Sequence, residues 1–419
     1  MENPTSPSHT RPILIIGAGV FGLSTALELS SRGYRDITVL DRYAPPVPDG
    51  SKPNTQIQSI LSWRRKHERL EDTIQRLLSP HRLRHAIRNL SHPYIAKALE
   101  INHAQGKAFD EFADGNGLKR LYPDLRGNYG NLHAYHNTEG GWADAEGSIR
   151  YLSYQCTQAG VSFITEKRGT VLSLRREGSQ IVGVTVSNGE FIPASMVILC
   201  TGAWSNLLLD LSHAASASGQ PIGFIQLTPD EARSIQRIPV MINLSSGIFV
   251  FPPHPGTNIL KVARHSYGFA TSMRRYEDGK TVSSPKRDSN NADRSFLPEE
   301  ADKGLRDGLQ QLLPEFANHP WLNRRLCWYT DTPEGDFVID YHPVLEGLFV
   351  ATGGAGHAFK FLPILGRYVA DRFEGRLSSE IKHKWRLRLP EGEGKVKIGD
   401  GSRAGPPLRV LTMEEQSKL

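Results

Sequence analysis

The stretch Ile13–Asp41, ILIIGAGVFGLSTALELSSRGYRDITVLD, reads as a strand, a glycine turn, a helix and a second strand that ends on an acid. Ile13–Ile16 is a continuous apolar run of buried-strand length, and Gly17, Gly19 and Gly22 follow at G-x-G-x-x-G spacing before an apolar periodic segment through Leu29. Gly17 permits the tight turn. Gly19 lets the backbone approach a pyrophosphate where Val20 and Phe21 open the helix, and Gly22 lets helix and strand pack closely. Asp41 follows about two dozen residues on, where a carboxylate accepts the hydroxyls of an adenosine ribose. The unit predicts a dinucleotide cradle in an α/β fold. A glycine-rich turn in another α/β fold is the alternative.

Composition sets the bounds around this unit. With 419 residues, 38% of them hydrophobic and 22% charged, the chain has room for two domains with sizeable cores. Met1–Pro12 lacks a basic region followed by an apolar one, and no apolar run reaches the roughly 20 residues of a membrane helix, so neither secretion nor a membrane is expected. Cys156, Cys200 and Cys327 are widely spaced, which argues against a disulfide framework and against zinc. The net charge of +6 comes from one place: Lys52–Leu90 holds nine basic residues and three acids. Without aromatic interleaving beyond Trp63, that segment reads as solvated surface and not as a nucleic-acid site.

Further along, Pro93–Asp114 predicts a helix, and Ile149–Cys156 has helical periodicity. Thr170–Leu174, Ile181–Val186 and Glu190–Ile192 predict a β-meander with Asn188-Gly189 as its hairpin turn. Met196–Cys200 predicts another buried strand, turned by Gly202 into a helix from Trp204. The polar, Gly/Pro-rich text after Glu374 predicts a tail without core structure, which holds the chain end clear of the fold.

Several blocks together resemble one family, the amine-oxidising flavoproteins related to monomeric sarcosine oxidase, fructosyl amino acid oxidases and L-saccharopine oxidase. The match rests on GAGVFGLSTALEL, DRYAPPVPDGS, GWADAEGSIRYL, CTGAWS, ILKVARHSYG, RLCWYTDTPEGDFVIDYHP and FVATGGAGHAFKFLP. The resemblance implies a Rossmann-like FAD-binding domain (11–50, 141–215 and 325–376) and a D-amino-acid-oxidase-like substrate domain on a mixed sheet (91–140 and 216–324). It also implies oxidation of a secondary amine, with O₂ reduced to hydrogen peroxide, by a monomer.

By the same resemblance, Cys327 matches the cysteine that joins the flavin ring as a thioether, and Lys261 matches the lysine that stabilises superoxide. His265 falls at an active-site histidine, and Lys360 at the lysine that pairs with the substrate carboxylate. Gly353, Gly354, Gly356, His357 and Ala358 are expected to turn backbone N–H groups toward the flavin's pyrimidine edge. Arg42, Val171, Gly202 and Trp204 complete the cofactor set, while Asp336 and Asp340 are assigned packing or hydrogen-bonding roles.

The text departs from the family after DRYAPPVPDGS, where a loop over the pyrophosphate and a carboxylate-clamping arginine belong. The basic segment 51–90 reads either as a mis-spliced or frame-shifted stretch or as a diverged loop with its own clamp, for which Arg64 and Arg65 are the candidates. Substrates open to such an enzyme are N-methyl and fructosyl amino acids, saccharopine, pipecolate, or an amino-acid-derived intermediate of fungal secondary metabolism. A nicotinamide dehydrogenase and a non-catalytic flavoprotein are the other classes. Finally, Ser417-Lys418-Leu419 is an address read by the peroxisomal import receptor, which predicts a peroxisomal protein.

Overall fold

The computed structural model describes residues 9–45, 55–58, 78–83, 86–88, 93–106, 109–130, 132–137, 140–286, 296–388 and 401–419. Strand Ile13–Ile16 (β1) runs through the glycine turn into helix Val20–Ser31 (α1) and strand Ile37–Leu40 (β2). Helix Ala145–Gln158 (α2), with the Asp144 carboxylate accepting from the Gly147 N–H at 2.9 Å, leads into Ser162–Ile164 (β3). Met196–Leu199 (β4), Ser216–Gln226 (β5) and Ile259–Arg264 (β6) follow. Helix Glu299–Leu312 (α3) then precedes Asn323–Asp331 (β7), Val338–Tyr341 (β8), Leu348–Thr352 (β9) and helix Leu362–Phe373 (α4).

One sheet has the order β8-β9-β4-β1-β2-β3, parallel throughout except for the antiparallel β8. Its strands are apolar on both faces because both faces are covered. On one side α1, α2 and α4 bury Leu23, Leu29, Leu152, Leu365 and Phe373 against Ile13, Ile15 and Val39. On the other side the meander Val171–Glu177, Gln180–Val186 and Phe191–Pro193 covers Leu14, Ile16 and Val197. The Asn188-Gly189 turn stands where the sequence predicts it.

The larger sheet, ten-stranded among the described residues, is antiparallel around β5, which pairs with β6 on one edge and with the whole of β7 on the other. Residues 325–331 therefore lie in this sheet, although the sequence assigns them to the nucleotide domain. Helix α3 packs Ala301, Leu305, Leu309 and Leu312 onto the back of this sheet, against Leu260 and Val262.

Two expectations are corrected. The helix predicted over Pro93–Asp114 ends at Ala104, and Phe109–Phe112 forms a strand against His133–Asn137. The tail is not clear of the fold. Strand Arg409–Val410 pairs with Phe269–Ala270, helix Met413–Lys418 follows with a Thr412–Glu415 capping box, and Leu419 packs against the larger core. Leu411 and Gln416 are buried there.

Within the basic segment, the backbone of Thr55–Gln58 and Leu78–Leu83 flanks strand Gly140–Asp144, and Ala86–Arg88 pairs with His133–Asn137. Arg64 and Arg65 lie outside the described residues, as does most of that segment. Among the described residues no helix is long and apolar enough to cross a membrane. No cluster of His, Cys, Asp or Glu among them could hold a metal ion.

Candidate functional site

The nucleotide end is built by the turn between β1 and α1. Gly17 has φ +105°, and a Cβ there would stand 2.5 Å from the Cys200 carbonyl oxygen, so only glycine fits. A Cβ on Gly22 would fall 1.8 Å from the Gly17 oxygen, which is why α1 can lie so close to β1. Gly19 differs: nothing stands within 4 Å of its Cβ position, and the space beside the first turn of α1 is open to a ligand. Asp41, at the end of β2, accepts from the Ala18 N–H at 2.7 Å and from the Tyr43 N–H at 3.3 Å. Burial pushes its carboxyl above the usual range, and those N–H bonds pull the other way.

Arg42 lies 4.8 Å from the centre of the Trp204 ring, and Trp204 donates its indole N–H to the Lys286 carbonyl at 3.2 Å. Gly202 makes the turn after β4, and Val171 is buried at the start of the meander. Gly202 and Arg42 follow the carboxyl ends of β4 and β2 in the parallel sheet, while Val171 lies in the meander that covers it.

The larger sheet supplies the other half. Phe224 stands opposite Lys261 on β6 and opposite Asn323 on β7, and Gln220 stands opposite Cys327. Alternation along the strands puts Lys261 and His265 on the same face as Arg325, Cys327, Tyr329 and Asp331. The packing of Cys327 with Ile222, Phe224, Phe249 and Ala263 agrees. Lys261 is only 7% exposed, and its Nζ lies 5.1 Å from the Phe251 ring centre and 6.0 Å from that of Phe224. Arg325 extends over Phe224 at 5.7 Å.

His265 is held at both ring nitrogens, with Nε2 2.8 Å from the Ser402 hydroxyl and Nδ1 3.5 Å from the Tyr329 hydroxyl. Burial pushes the Tyr329 phenol up, so its O–H stays protonated. The glycine cluster docks on the same strand. Gly356 has φ +78°, and a Cβ there would meet the Tyr329 ring at 2.6 Å, while the Ala355 N–H donates to the Thr330 carbonyl at 2.9 Å. Gly353 and Gly354 precede it after β9, and a Cβ on Gly353 would crowd Thr332.

One assignment in this cluster changes. The N–H groups of His357 and Ala358, expected to face the flavin, both close a turn on the Gly354 carbonyl at 2.8 and 3.1 Å. The His357 ring donates to the Gly335 carbonyl at 2.6 Å and stacks on Phe337. Lys360, half-buried on the short helix Ala358–Phe361, reaches over the Phe361 ring at 5.3 Å. Asp340 forms a buried ion pair with Arg372, and the Asp336 carboxylate meets Lys384 at 3.2 Å.

Sequence reasoning missed Gln220, Tyr329, Asp331, Ser402 and Arg403. Tyr329 and Asp331 were in reach, since period-two counting from Cys327 puts both on its face. Nothing local marks Ser402 or Arg403, which come to the site from the tail.

The profile of the family "FAD dependent oxidoreductase" matches residues 12–372. L-saccharopine oxidase of Schizosaccharomyces pombe is 30% identical over 93% of this chain and 95% of its own. A monomeric sarcosine oxidase of a Bacillus species is 24% identical over 85% of this chain and 91% of its own. The crystal structure of fructosyl amine: oxygen oxidoreductase (Amadoriase I) from Aspergillus fumigatus superposes with a TM-score of 0.76 at 27% identity, covering 92% of this chain and 91% of that one. With a dinucleotide cradle in the parallel sheet and the matched residues gathered on one face of the larger one, the chain belongs to the FAD dependent oxidoreductase family and is an FAD-dependent amine oxidase.

Proposed function

We propose that the chain oxidises the secondary amine of an N-substituted amino acid, giving an imine that hydrolyses and hydrogen peroxide, with FAD held covalently through Cys327. The observation that carries this reading is that Lys261 on β6, His265 just past its end and Cys327 on β7 fall on one face of one sheet, on the two strands that flank β5. L-saccharopine, sarcosine and fructosyl amine, the compounds in the relatives' names, are all N-substituted amines, which supports the substrate class.

The residues present fit FAD. Gly19 leaves open space at the start of α1, the Asp41 carboxylate lies beside the glycine turn, and Gly356 lies against Tyr329, two residues from Cys327. FAD, held there, would supply two-electron redox chemistry, with the carbon beside the amine nitrogen as the hydride donor and O₂ as the final acceptor. The chain's residues do the rest. Gly17, Gly19, Gly22 and Asp41 would hold the dinucleotide, with Arg42 and Trp204 beside them. Lys261, fixed between two aromatic rings, is a cation preorganised for the anion made when O₂ accepts an electron. Lys360 supplies a positive charge for the substrate carboxylate. His265, gripped by Ser402 and Tyr329, orients the amine end and keeps its ring from turning.

The terminal Ser417-Lys418-Leu419 supports a peroxisomal location reached through the import receptor, where released peroxide meets catalase. A small N-substituted amino acid and O₂ are then the working partners, and the chain acts as a monomer. A peroxidase-coupled screen of sarcosine, pipecolate, saccharopine and fructosyl amino acids tests the reading. Peroxide release with at least one of them is expected, and none with any of them, on protein that retains its flavin, would count against it.

A further inference from the structure

We propose that the carboxyl-terminal segment Gly401–Leu419 is part of the oxidising site, and that Arg403 is a positioning residue that holds His265 and Tyr329 in their working arrangement. This rests on the reading of the Lys261–His265–Cys327 face as the reactive one.

Arg325, Cys327, Tyr329 and Asp331 form one stripe on β7, opposite Ile222, Gln220, Ser218 and Ser216 of β5. Arg403 covers the end of that stripe. Its guanidinium pairs with both oxygens of Asp331, one of them at 3.1 Å, donates to the Ser266 carbonyl at 3.0 Å, and lies 5.2 Å from the centre of the Tyr329 ring. Arg403 is 4% exposed and Asp331 2%, so the pair is buried, and Ser218 donates a further hydrogen bond to Asp331. A buried ion pair is weak evidence of stability on its own, but its location here is informative. Two of the three groups that Arg403 touches adjoin His265: the Tyr329 hydroxyl faces Nδ1, and Ser266 is the next residue in the chain. Its neighbours complete the grip. Ser402 meets Nε2 at 2.8 Å, and the Ala404 N–H donates to the His265 carbonyl at 3.2 Å.

The segment is fastened along its length. The Arg409 N–H donates to the Gly268 carbonyl, the Leu411 N–H to that of Ala270, and the Ser272 N–H to the Gln416 side chain at 2.9 Å. Leu419 packs on the larger core. The tail thus forms one wall of the face that carries the chemistry, and the ring of His265 is set by residues about 140 positions away in sequence.

The test compares holoenzyme carrying Arg403→Met, Arg403→Lys, or Arg403→Met with Asp331→Leu, the double variant removing both buried charges so that a fold survives. Anaerobic stopped-flow with the amine that the parent turns over gives the limiting rate of flavin reduction and the apparent amine affinity. Trypsin cleavage after Arg409, read by mass spectrometry, reports tail docking without reference to activity. Arg403→Met and the double variant should keep their flavin yet reduce it about 10²-fold more slowly at saturating amine, with reoxidation by O₂ near parental. Arg403→Lys should recover most of that loss, and cleavage after Arg409 should quicken in Arg403→Met but not in Arg403→Lys. A parental limiting rate in Arg403→Met, or equal slowing of reduction and reoxidation, would overturn the inference alone. A parent whose bound flavin no N-substituted amino acid reduces would overturn the reading beneath it as well.

Discussion

Gln220 stands directly opposite Cys327 in the β5–β7 ladder, and its side chain also ties down the residue after His265. The Gln220 Oε1 accepts from the Ser266 N–H at 3.0 Å and from its hydroxyl at 3.1 Å, while Nε2 donates to Ser218 at 3.0 Å. The cysteine strand and the histidine turn are therefore joined through one buried amide. Gln220→Leu leaves the Ser266 donors in a buried place with their acceptor removed, at a cost of about 1–3 kcal/mol. Thermal melts should show a lowered midpoint with the flavin still attached, and an unchanged midpoint contradicts the role given to Gln220.

The proposed covalent attachment at Cys327 has a visible consequence. Acid-precipitated parent protein should give a yellow pellet and a colourless supernatant, and Cys327→Ser should reverse the two. A parent that loses its colour to the supernatant has its FAD held only by the cradle.

Lys261 separates the two half-reactions. Its Nζ lies 5.1 Å from the Phe251 ring centre and 6.0 Å from that of Phe224, and the proposed role is in the O₂ step and not in breaking the amine's C–H bond. Lys261→Met should be reduced by substrate at a near-parental rate and reoxidise about 10²–10³-fold more slowly, the size of effect that one preorganised charge or donor supplies. Equal slowing of both steps would make the lysine structural.

Docking of the tail depends on pH through Glu415. Its hydrogen bonds with Arg409, chiefly, hold its carboxyl well below the usual range, lowered from 4.5 to about 2. A lowered folded-state value means that the stabilisation is fully present above pH 4.5 and is lost as pH falls toward about 2. Allowing for solvent screening of this partly exposed pair, roughly 1–2 kcal/mol of docking is involved. Hydrogen exchange in residues 409–419 should quicken across that window, and Glu415→Gln should show the quickened exchange already at pH 7. Exchange that ignores both changes would remove Glu415 from the account.

In the terminal tripeptide Ser417 and Lys418 are exposed, while Leu419 is half-buried against the larger core, and Lys286 donates to the Ser417 carbonyl at 3.3 Å. On the proposed peroxisomal reading, receptor capture of Leu419 would entail freeing it from that core. Residues 400–419 fused behind a fluorescent protein should form puncta coincident with catalase, and removing Leu419 should disperse them. Diffuse signal from the intact fusion would refute the peroxisomal address.

How much of this could be read from sequence follows from where each residue's partners lie. The cradle was legible because strand, turn, helix and acid fall within Ile13–Asp41, and Gly17 and Gly22 each answer a close contact inside or beside that unit. Cys327, Lys261 and His265 were found by resemblance, and only the β5–β7 and β5–β6 registers show that they share a face. The tail was misread for a physical reason. Its glycines, prolines and charges have the composition of a solvated end, and what buries Arg403 is Asp331, 72 residues earlier, and Ser266, 137 residues earlier. The turn at Gly354 was misread because a glycine cluster does not reveal whether its N–H groups face a ligand or its own carbonyls.

The central claim, that this face removes hydride from a secondary amine, is tested most directly by anaerobic titration of the holoenzyme with an N-substituted amino acid, followed by readmission of air. The account predicts that the visible flavin absorption bleaches with the amine, and that air restores it with about one peroxide per flavin. Flavin that stays oxidised under every N-substituted amino acid, or that bleaches only with a reduced nicotinamide, would contradict it.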